Sequence, residues 1–208
     1  MTNRRAKAHG SEAPARVGPN AAIQVIAALR RCDGAVATRV LEDAGFARWL
    51  VEPPSEMIAE TEAARLHGLV REMLPPDVAD AVLAEAGRMT ADYLLQRRIP
   101  GPAKLALRMA PAGLAARGLT RAIRAHAWTF AGSGRFVAEV DDGAVFEIYD
   151  NRFCAGGVAG RKLCVWHAAV FQRLFEALVS PRARAVETDC CADRSPCCRF
   201  RLSWRAPV

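Results

Sequence analysis

Apolar side chains recur at three- and four-residue intervals from residue 20 to residue 126, which predicts a succession of amphipathic helices. The predicted helices cover residues 20–31, 35–46, 55–74, 76–97, 103–110 and 112–126. Asn20 and Ser55 are good N-caps, and Ile99-Pro100-Gly101-Pro102 is the sharpest break in the chain. Residues 1–19 carry almost no large apolar side chain and are predicted to be a disordered basic tail.

The period changes from helical to alternating after residue 134. Arg135 to Val140 and Ala144 to Tyr149 alternate around Asp141-Asp142-Gly143, which predicts a β-hairpin. A helix is predicted over 161–179, and two more strands flank the polar turn at 193–196. The chain is therefore predicted to have an α+β fold, in which N-terminal helices precede an antiparallel sheet of about four strands packed with helices.

The apolar runs in the chain are short. None reaches the roughly 18 residues of a membrane-spanning helix, and the arginine-rich N-terminal stretch lacks the apolar core of a secretory signal. We therefore expect a cytoplasmic location. Thiols stay reduced there, and clustered cysteines bind metal more often than they form disulfides.

Charge is unevenly placed along the chain. The net charge is +7, yet residues 94–137 contain no Asp or Glu. The basic residues in this stretch are Arg97, Arg98, Lys104, Arg108, Arg117, Arg121, Arg124 and Arg135. Arg117, Arg121 and Arg124 recur at helical spacing, which indicates either an ordinary solvated helix face or a surface for phosphate, carboxylate or an anionic membrane. No nucleic-acid-binding motif occurs, and we expect no nucleic-acid partner.

The cysteines concentrate near the C-terminus. Of the seven, Cys190, Cys191, Cys197 and Cys198 flank a polar turn between two predicted strands. Neighbouring strand residues point to opposite faces, so Cys190 and Cys198 are predicted to face inward with the apolar positions. By the same rule Cys191 and Cys197 should face outward. Two inward thiols make half of a zinc site.

Two further residues can complete such a site. Cys164 lies in the first turn of the preceding predicted helix, where the helix dipole favours a thiolate. Glu187 is a candidate fourth ligand, although its strand parity opposes that of Cys190 unless a bulge or turn redirects it. Cys32 and Cys154 are interpreted as buried free thiols. A shell of four protein ligands indicates a structural rather than a catalytic metal.

The residues of this site occur in a wider motif. Cys164 in a helix preceded by glycines, followed by Val186-Glu187-x-x-Cys190 and Cys198-x-Phe200-x-Leu202, resembles the 4-vinyl-reductase domain family. The resemblance implies an α+β ligand-binding domain over residues 75–208, with an apolar cavity and a distant structural relationship to TRAPP transport subunits. Residues 20–74 then form an N-terminal helical segment. It also implies structural zinc held by three cysteines and one glutamate, which correspond to Cys164, Glu187, Cys190 and Cys198.

The resemblance also has implications for function. Family members include sensor domains of aromatic-responsive transcription activators and proteins of bacteriochlorophyll biosynthesis, and the length and layout of this chain are most similar to the latter. The implied role is in reduction of the 8-vinyl group (the 4-vinyl group in older usage) of divinyl protochlorophyllide. The glycines at 132–134 and 156–160 fit neither a dinucleotide fingerprint nor a P-loop, and no Cys-x-x-Cys redox pair occurs.

We therefore expect an accessory protein that binds a vinyl-bearing magnesium tetrapyrrole and presents it to bacteriochlorophyll enzymes. The alternatives are the 8-vinyl reductase itself and a small-molecule sensor that acts through a protein partner. The candidate ligand-binding residues are His126, Trp128, Phe146, Tyr149, Trp166, His167, Arg121 and Arg124. Aromatic side chains can wall a cavity, histidine can ligate magnesium and arginine can bind a carboxylate. A homodimer and contact with a membrane surface are both compatible with the sequence.

Overall fold

The N-terminal part of the protein is helical, as predicted. The computed structural model describes residues 15–154 and 160–204. Its first helices are α1 (Asn20–Cys32), α2 (Gly34–Asp43), α3 (Glu60–Met73), α4 (Pro76–Arg97), α5 (Gly101–Met109), α6 (Ala112–Ala125) and the short α7 (Trp128–Ala131). The break between α1 and α2 is stabilised by Asp33, whose carboxylate accepts hydrogen bonds from the N–H groups of Ala35 and Val36.

The start of the third helix differs from the expectation. It begins at Glu60 rather than Ser55 because the residues before it form the short strand β2 (Ile58–Ala59), which pairs antiparallel with β1 (Arg16–Val17). Val17 is buried in the core. The predicted tail of residues 1–19 is therefore too long at its C-terminal end, and residues 1–14 lie outside the described residues.

The main sheet is antiparallel and confirms the predicted α+β class. Its strands are β3 (Arg135–Val140), β4 (Ala144–Tyr149), β5 (Arg184–Asp189) and β6 (Cys197–Ser203), in the order β3-β4-β6-β5. The hairpin between β3 and β4 forms at the predicted turn. Gly143 is required there because a Cβ atom would lie 2.7 Å from the carbonyl oxygen of Leu202.

Helix α8 (Val165–Leu178) connects the sheet to the N-terminal helices. On one side its Phe171 packs against Phe146 and Phe200 of the sheet. On the other side it packs against α4, where a Cβ atom on Gly87 would lie 2.5 Å from the carbonyl oxygen of Trp166. One continuous hydrophobic core joins the helical segment 20–74 to the sheet. Among the described residues, no helix is long and apolar enough to cross a membrane.

Candidate metal centre and aromatic core

Four cysteine side chains meet in the protein interior. Cys154 ends a 3₁₀ turn, Cys164 immediately precedes α8, Cys190 follows β5 and Cys198 lies in β6. All four are buried, and their sulfur atoms lie within 4.8 Å of one another. We call these four cysteines the four-sulfur group. Because four separate elements converge on it, the group ties the C-terminal hairpin to α8 and to the turn before it.

The sulfur–sulfur distances suit a metal ion. The Sγ atom of Cys198 lies 3.4 Å from that of Cys154 and 3.3 Å from that of Cys164. It lies 3.9 Å from that of Cys190. A tetrahedral ion with metal–sulfur bonds of about 2.3 Å places its ligands about 3.8 Å apart. The four cysteines can therefore hold a metal ion with small side-chain adjustments.

A β-bulge explains how Glu187 and Cys190 both come to be buried. The pairing of β5 with β6 shifts register after Glu187, which lies opposite the buried Phe200. Cys190 lies beyond the shift and is buried as well, whereas Val186 is exposed. The bulge therefore removes the parity objection to Glu187 and redirects Cys190 at the same time.

Cys154 is the member of the group that sequence reasoning missed, because it was interpreted as a free thiol outside the site. The available signal was its place before the glycine-containing segment that leads to Cys164, since such a segment can bring the thiols at its two ends together. Residues 155–159 of that segment lie outside the described residues. Two other expectations are wrong: Cys32 is exposed, and Cys197, predicted to face outward, is buried.

Glu187 lies beside the four-sulfur group without being part of it. Its Oε2 atom accepts a hydrogen bond of 2.8 Å from the N–H group of Cys164. Its Oε1 atom is buried and has no hydrogen-bond partner among the described residues. Burial, assisted by the neighbouring Cys190, raises the pKa of Glu187 to about 8. The structure therefore offers five buried groups for the four positions of a tetrahedral shell.

Arg71 connects α3 to the backbone around the group. Its guanidinium donates to the carbonyl oxygen of Phe153 at 2.5 Å and to that of Leu163 at 3.4 Å. Each of these residues directly precedes a cysteine of the four-sulfur group. Burial lowers the pKa of Arg71, while the nearby thiols of the group raise it. A cation from the N-terminal helical segment thus positions two of the four thiols and lies close to their charge.

Hydrogen-bond donors point at the sulfur atoms. The side-chain amide of Asn151 donates to Cys164 Sγ at 3.2 Å, and the N–H group of Cys191 donates to Cys198 Sγ at 3.4 Å. Hydrogen bonds from the neighbouring thiols lower the pKa of Cys190, whereas the same network raises the pKa of Cys164 and Cys198. Donors aimed at buried sulfur stabilise negative charge there, as the ligands of a thiolate-bound metal require.

Three of the predicted ligand-binding residues, Phe146, Trp166 and His167, lie together in the core. The ring of Trp166 stacks on that of Phe153 at 5.6 Å, and the ring of His167 lies 4.9 Å from that of Trp166. The other described rings in contact with this set are those of His67, Phe130, Phe136, Phe171, Phe175 and Phe200. We call all of these rings together the aromatic cluster.

The aromatic cluster contains polar atoms that lack partners. The Nε2 atom of His167 lies 3.4 Å from the carbonyl oxygen of Phe130, while its Nδ1 atom is buried and unpartnered in the described part of the chain. The same holds for Nε1 of Trp166. Burial lowers the pKa of His167 to about 4, so its imidazole is neutral at physiological pH.

The other five predicted ligand-binding residues, Arg121, Arg124, His126, Trp128 and Tyr149, lie outside the aromatic cluster. Nδ1 of His126 is hydrogen-bonded to a carbonyl of its own helix, and Arg124 donates to a carbonyl of β3. The ring of Tyr149 lies under the guanidinium of Arg135. The two aromatic residues of helix α7 differ, because Trp128 is exposed while Phe130 packs into the cluster.

Residues 144–203, which include all four cysteines of the four-sulfur group, match the family model of the V4R domain. This match gives the class of domain to which the cysteine centre belongs. The chain is 45% identical over 188 residues to the bacteriochlorophyll synthase 23 kDa chain of Cereibacter sphaeroides, covering 90% of each protein. It is 42% identical over 189 residues to the same chain of Rhodobacter capsulatus, covering 90% of this protein and 86% of the relative. The chain therefore belongs to the family of the bacteriochlorophyll synthase 23 kDa chain, and the predicted family resemblance is confirmed.

Solved structures share the fold at low sequence identity. A structure from a study of heme distortion in the H-NOX family has a TM-score of 0.58 at 17% identity and covers 92% of this chain and 97% of its own. The phenol-responsive sensory domain of the transcription activator PoxR has a TM-score of 0.51 at 12% identity, covering 71% and 76%. Subunit 3 of the trafficking protein particle complex from Naegleria fowleri has a TM-score of 0.50 at 11% identity, covering 72% and 96%.

Proposed function

We propose that this protein binds a vinyl-bearing magnesium tetrapyrrole of bacteriochlorophyll biosynthesis and presents it to enzymes of the pathway. Family membership supports a role in the pathway, since the relatives are named as a chain of bacteriochlorophyll synthase. The H-NOX protein that shares the fold is described in connection with heme distortion. Heme is a tetrapyrrole, so this likeness supports the ligand class.

The observation that carries the proposal is the unpartnered ring nitrogen of His167. Its Nε2 atom faces the carbonyl oxygen of Phe130, so we assign the proton to Nε2 and a free lone pair to Nδ1. A buried acceptor without a partner costs stability, and a central magnesium ion would supply the partner. The alternative ligand, His126, lies at the surface with its Nδ1 atom already hydrogen-bonded.

Helix α7 is the element that would have to move to admit a tetrapyrrole. It covers His167 through the carbonyl and ring of Phe130, and it is followed by Gly132 with φ of +59°. Phe130 and Phe136 are only partly buried, so the aromatic cluster reaches the surface on this side. A planar apolar ligand entering there would pack against Trp166 and Phe146, which form part of the same cluster.

The basic end of α6 suits the carboxylate of such a ligand. Arg121 and Arg124 lie in the last turns of α6, directly before the loop to α7. Trp128 and Tyr149, exposed and half-buried respectively, are available as outer contacts. The predicted ligand-binding residues thus divide into an inner set that holds the ring system and an outer set that binds its polar edge.

For the four-sulfur group we propose a structural zinc ion. Four buried thiols are the donor set that zinc prefers in structural sites, and a closed shell leaves no position for a substrate. The bound ion would hold β6, the start of α8 and the turn before it in place. Either Cys154 or Glu187 supplies the fourth ligand beside Cys164, Cys190 and Cys198, and the geometry favours Cys154, whose sulfur lies 3.4 Å from that of Cys198.

Titration of the full chain with divinyl protochlorophyllide, with and without NADPH, tests the tetrapyrrole proposal. We expect the absorption bands to shift without loss of the vinyl group. His167→Gln should weaken binding by at least about tenfold or change the spectrum of the bound pigment. His126→Gln is the matched control and should bind as the unmodified chain does. Thermal unfolding of both variants checks that each is folded.

The other outcomes separate the alternatives. Loss of the vinyl group with NADPH and the isolated chain would identify an 8-vinyl reductase instead of a carrier. No spectral shift at all would contradict tetrapyrrole binding and favour a small-molecule sensor, for which the fold shared with the phenol-responsive domain of PoxR is the supporting observation. Phenol in the same assay then becomes the first ligand to test.

A further inference from the structure

The corner between α5 and α6 carries an unusual number of exposed apolar side chains. No residue of α5 is buried, and Leu105 and Met109 are 60% and 77% exposed. Leu114, in the first turn of α6 and just beyond Pro111, is 58% exposed. We call these three side chains the apolar corner. Large apolar side chains that are exposed this close together in the chain indicate a surface that contacts a partner molecule or a membrane.

Helix α5 is held in place by its polar side chains rather than by a buried face. Lys104 donates to the carbonyl oxygen of Leu95 at 2.8 Å, near the end of α4. Arg108 donates to the carbonyl oxygen of Ala177 at 3.1 Å, near the end of α8. Cations that bind the carbonyl ends of two helices in this way fix α5 firmly. The apolar corner therefore projects from a rigid support.

The stretch of chain that carries the apolar corner is basic. Residues 94–137 contain no acidic side chain. Of the cations in this stretch, Arg97, Arg98, Arg117 and Arg121 have no carboxylate within salt-bridge distance in the described part of the chain. Some arginines elsewhere in the described chain are paired with a carboxylate, as Arg161 is with Asp80 and Arg173 with Asp92. The local field at the corner is thus uncompensated and favours an anionic partner.

We propose that the apolar corner and its arginines dock on an anionic lipid surface. An acidic protein would match the charge, but exposed apolar side chains in a stretch of chain rich in arginine are the combination that inserts into the boundary between headgroups and acyl chains. Insertion buries Leu105, Met109 and Leu114, while Arg97 and Arg117 pair with lipid phosphates. Apart from Arg121, this surface shares no residue with those proposed to bind the tetrapyrrole or the metal, so the proposal stands without either ligand.

Vesicle flotation of the ligand-free full chain provides the test. One set of vesicles is phosphatidylcholine alone, and the other contains about 30% phosphatidylglycerol, which supplies the negative surface potential. We expect binding to the anionic vesicles to be at least about tenfold tighter. Raising salt from about 0.05 M to about 0.5 M should weaken it severalfold, because screening shortens the electrostatic range. Equal binding to both vesicles, or none at low salt, would overturn the proposal.

Variants separate the apolar and the electrostatic parts. The double variant Leu105→Ser/Met109→Ser should reduce binding by about tenfold or more, and Arg97→Gln/Arg117→Gln should reduce it and flatten its salt dependence. Val51→Ser is the matched apolar control, since Val51 is 90% exposed outside this region. Arg39→Gln, exposed on α2, is the matched charge control. Retention of full binding by both double variants would sink the proposal, and unchanged melting temperatures exclude misfolding as the cause of any loss.

Discussion

The four-sulfur group and the aromatic cluster are neighbours that differ in how their buried polar atoms are hydrogen-bonded. Phe153 and Trp166 of the cluster lie one and two residues from Cys154 and Cys164. In the described part of the chain, hydrogen-bond donors face the sulfur atoms, and Oε1 of Glu187 is the one buried side-chain polar atom beside them without a partner. In the cluster, apolar rings enclose the unpartnered nitrogen of His167. The four-sulfur group has the size and donor atoms for a single metal ion. The aromatic cluster instead contains a buried nitrogen that a larger ligand could contact.

The largest effect on metal binding and stability is expected from removing the thiol of Cys198. Cys198→Ser is expected to abolish metal binding and to lower the free energy of unfolding by more than about 4 kcal/mol, since its sulfur contacts those of the other three cysteines. Metal content by mass spectrometry and urea unfolding measure both effects. Cys32→Ser, at an exposed thiol, should change neither. A Cys198→Ser protein with full metal content and stability would refute the metal assignment.

The identity of the fourth ligand gives the next largest effect. Cys154→Ser is expected to weaken metal affinity by about 100-fold, whereas Glu187→Gln should weaken it by about tenfold because the carboxylate orients Cys164 through its N–H group. Competition with a chromophoric chelator measures both affinities. If the order of the two variants is reversed, Glu187 is the ligand and Cys154 the supporting residue.

Substitution of Arg71 tests whether the N-terminal helical segment stabilises the four-sulfur group. Arg71→Met leaves the carbonyls of Phe153 and Leu163 without this donor and should cost about 2–3 kcal/mol of stability. It should also speed the release of metal to a chelator, which a purely structural loss elsewhere would not do. Arg65→Met, on the same helix, removes an exposed hydrogen bond to the backbone carbonyl oxygen of Asp43 and should cost less than about 0.5 kcal/mol. Equal effects of the two variants would argue against a positioning role.

Acid should lower the free energy of unfolding through His67, whose ring packs against Phe153 and Trp166 of the aromatic cluster. Burial, together with the charge of Arg71 and the nearby His167, lowers the pKa of His67 to about 3 from 6.5. Between these two pKa values, His67 is therefore protonated in the unfolded chain and neutral in the folded chain. Stability is full above pH 6.5 and falls as the pH drops towards 3, by about 1.4 kcal/mol per pH unit for this group.

The measurement is urea unfolding at pH 7 and pH 5 for the unmodified chain and for His67→Gln. The unmodified chain should lose about 2 kcal/mol more than the variant between these pH values. His167 titrates in the same direction in both proteins and cancels in the difference. An identical loss in both proteins would show that His67 does not carry the effect.

Much of the fold was predictable because its determinants are local. The helical spacing of apolar residues predicted the longer helices, apart from the start of α3, and the alternation around Asp141-Asp142-Gly143 predicted the first hairpin, since both depend on residues close in the chain. The inward position of Cys198 followed from strand alternation, whereas Cys190 is buried because the bulge after Glu187 changes the parity of β5. The same rule failed for Cys197, which is buried on the other side of β6, because alternation does not report what covers a strand face.

Local sequence patterns were sufficient for the α+β class, for the order of the longer helices and the four strands of the main sheet, and for the inward positions of Cys164 and Cys198. The long-range packing was needed to show that Cys154 joins them, that a bulge after Glu187 turns Cys190 towards the same interior, and that three of the predicted ligand-binding residues lie in the aromatic cluster. Periodicity is encoded by neighbours in the chain. The meeting of four thiols and the burial of His167 instead depend on how α3, α8 and the sheet pack against one another over long separations.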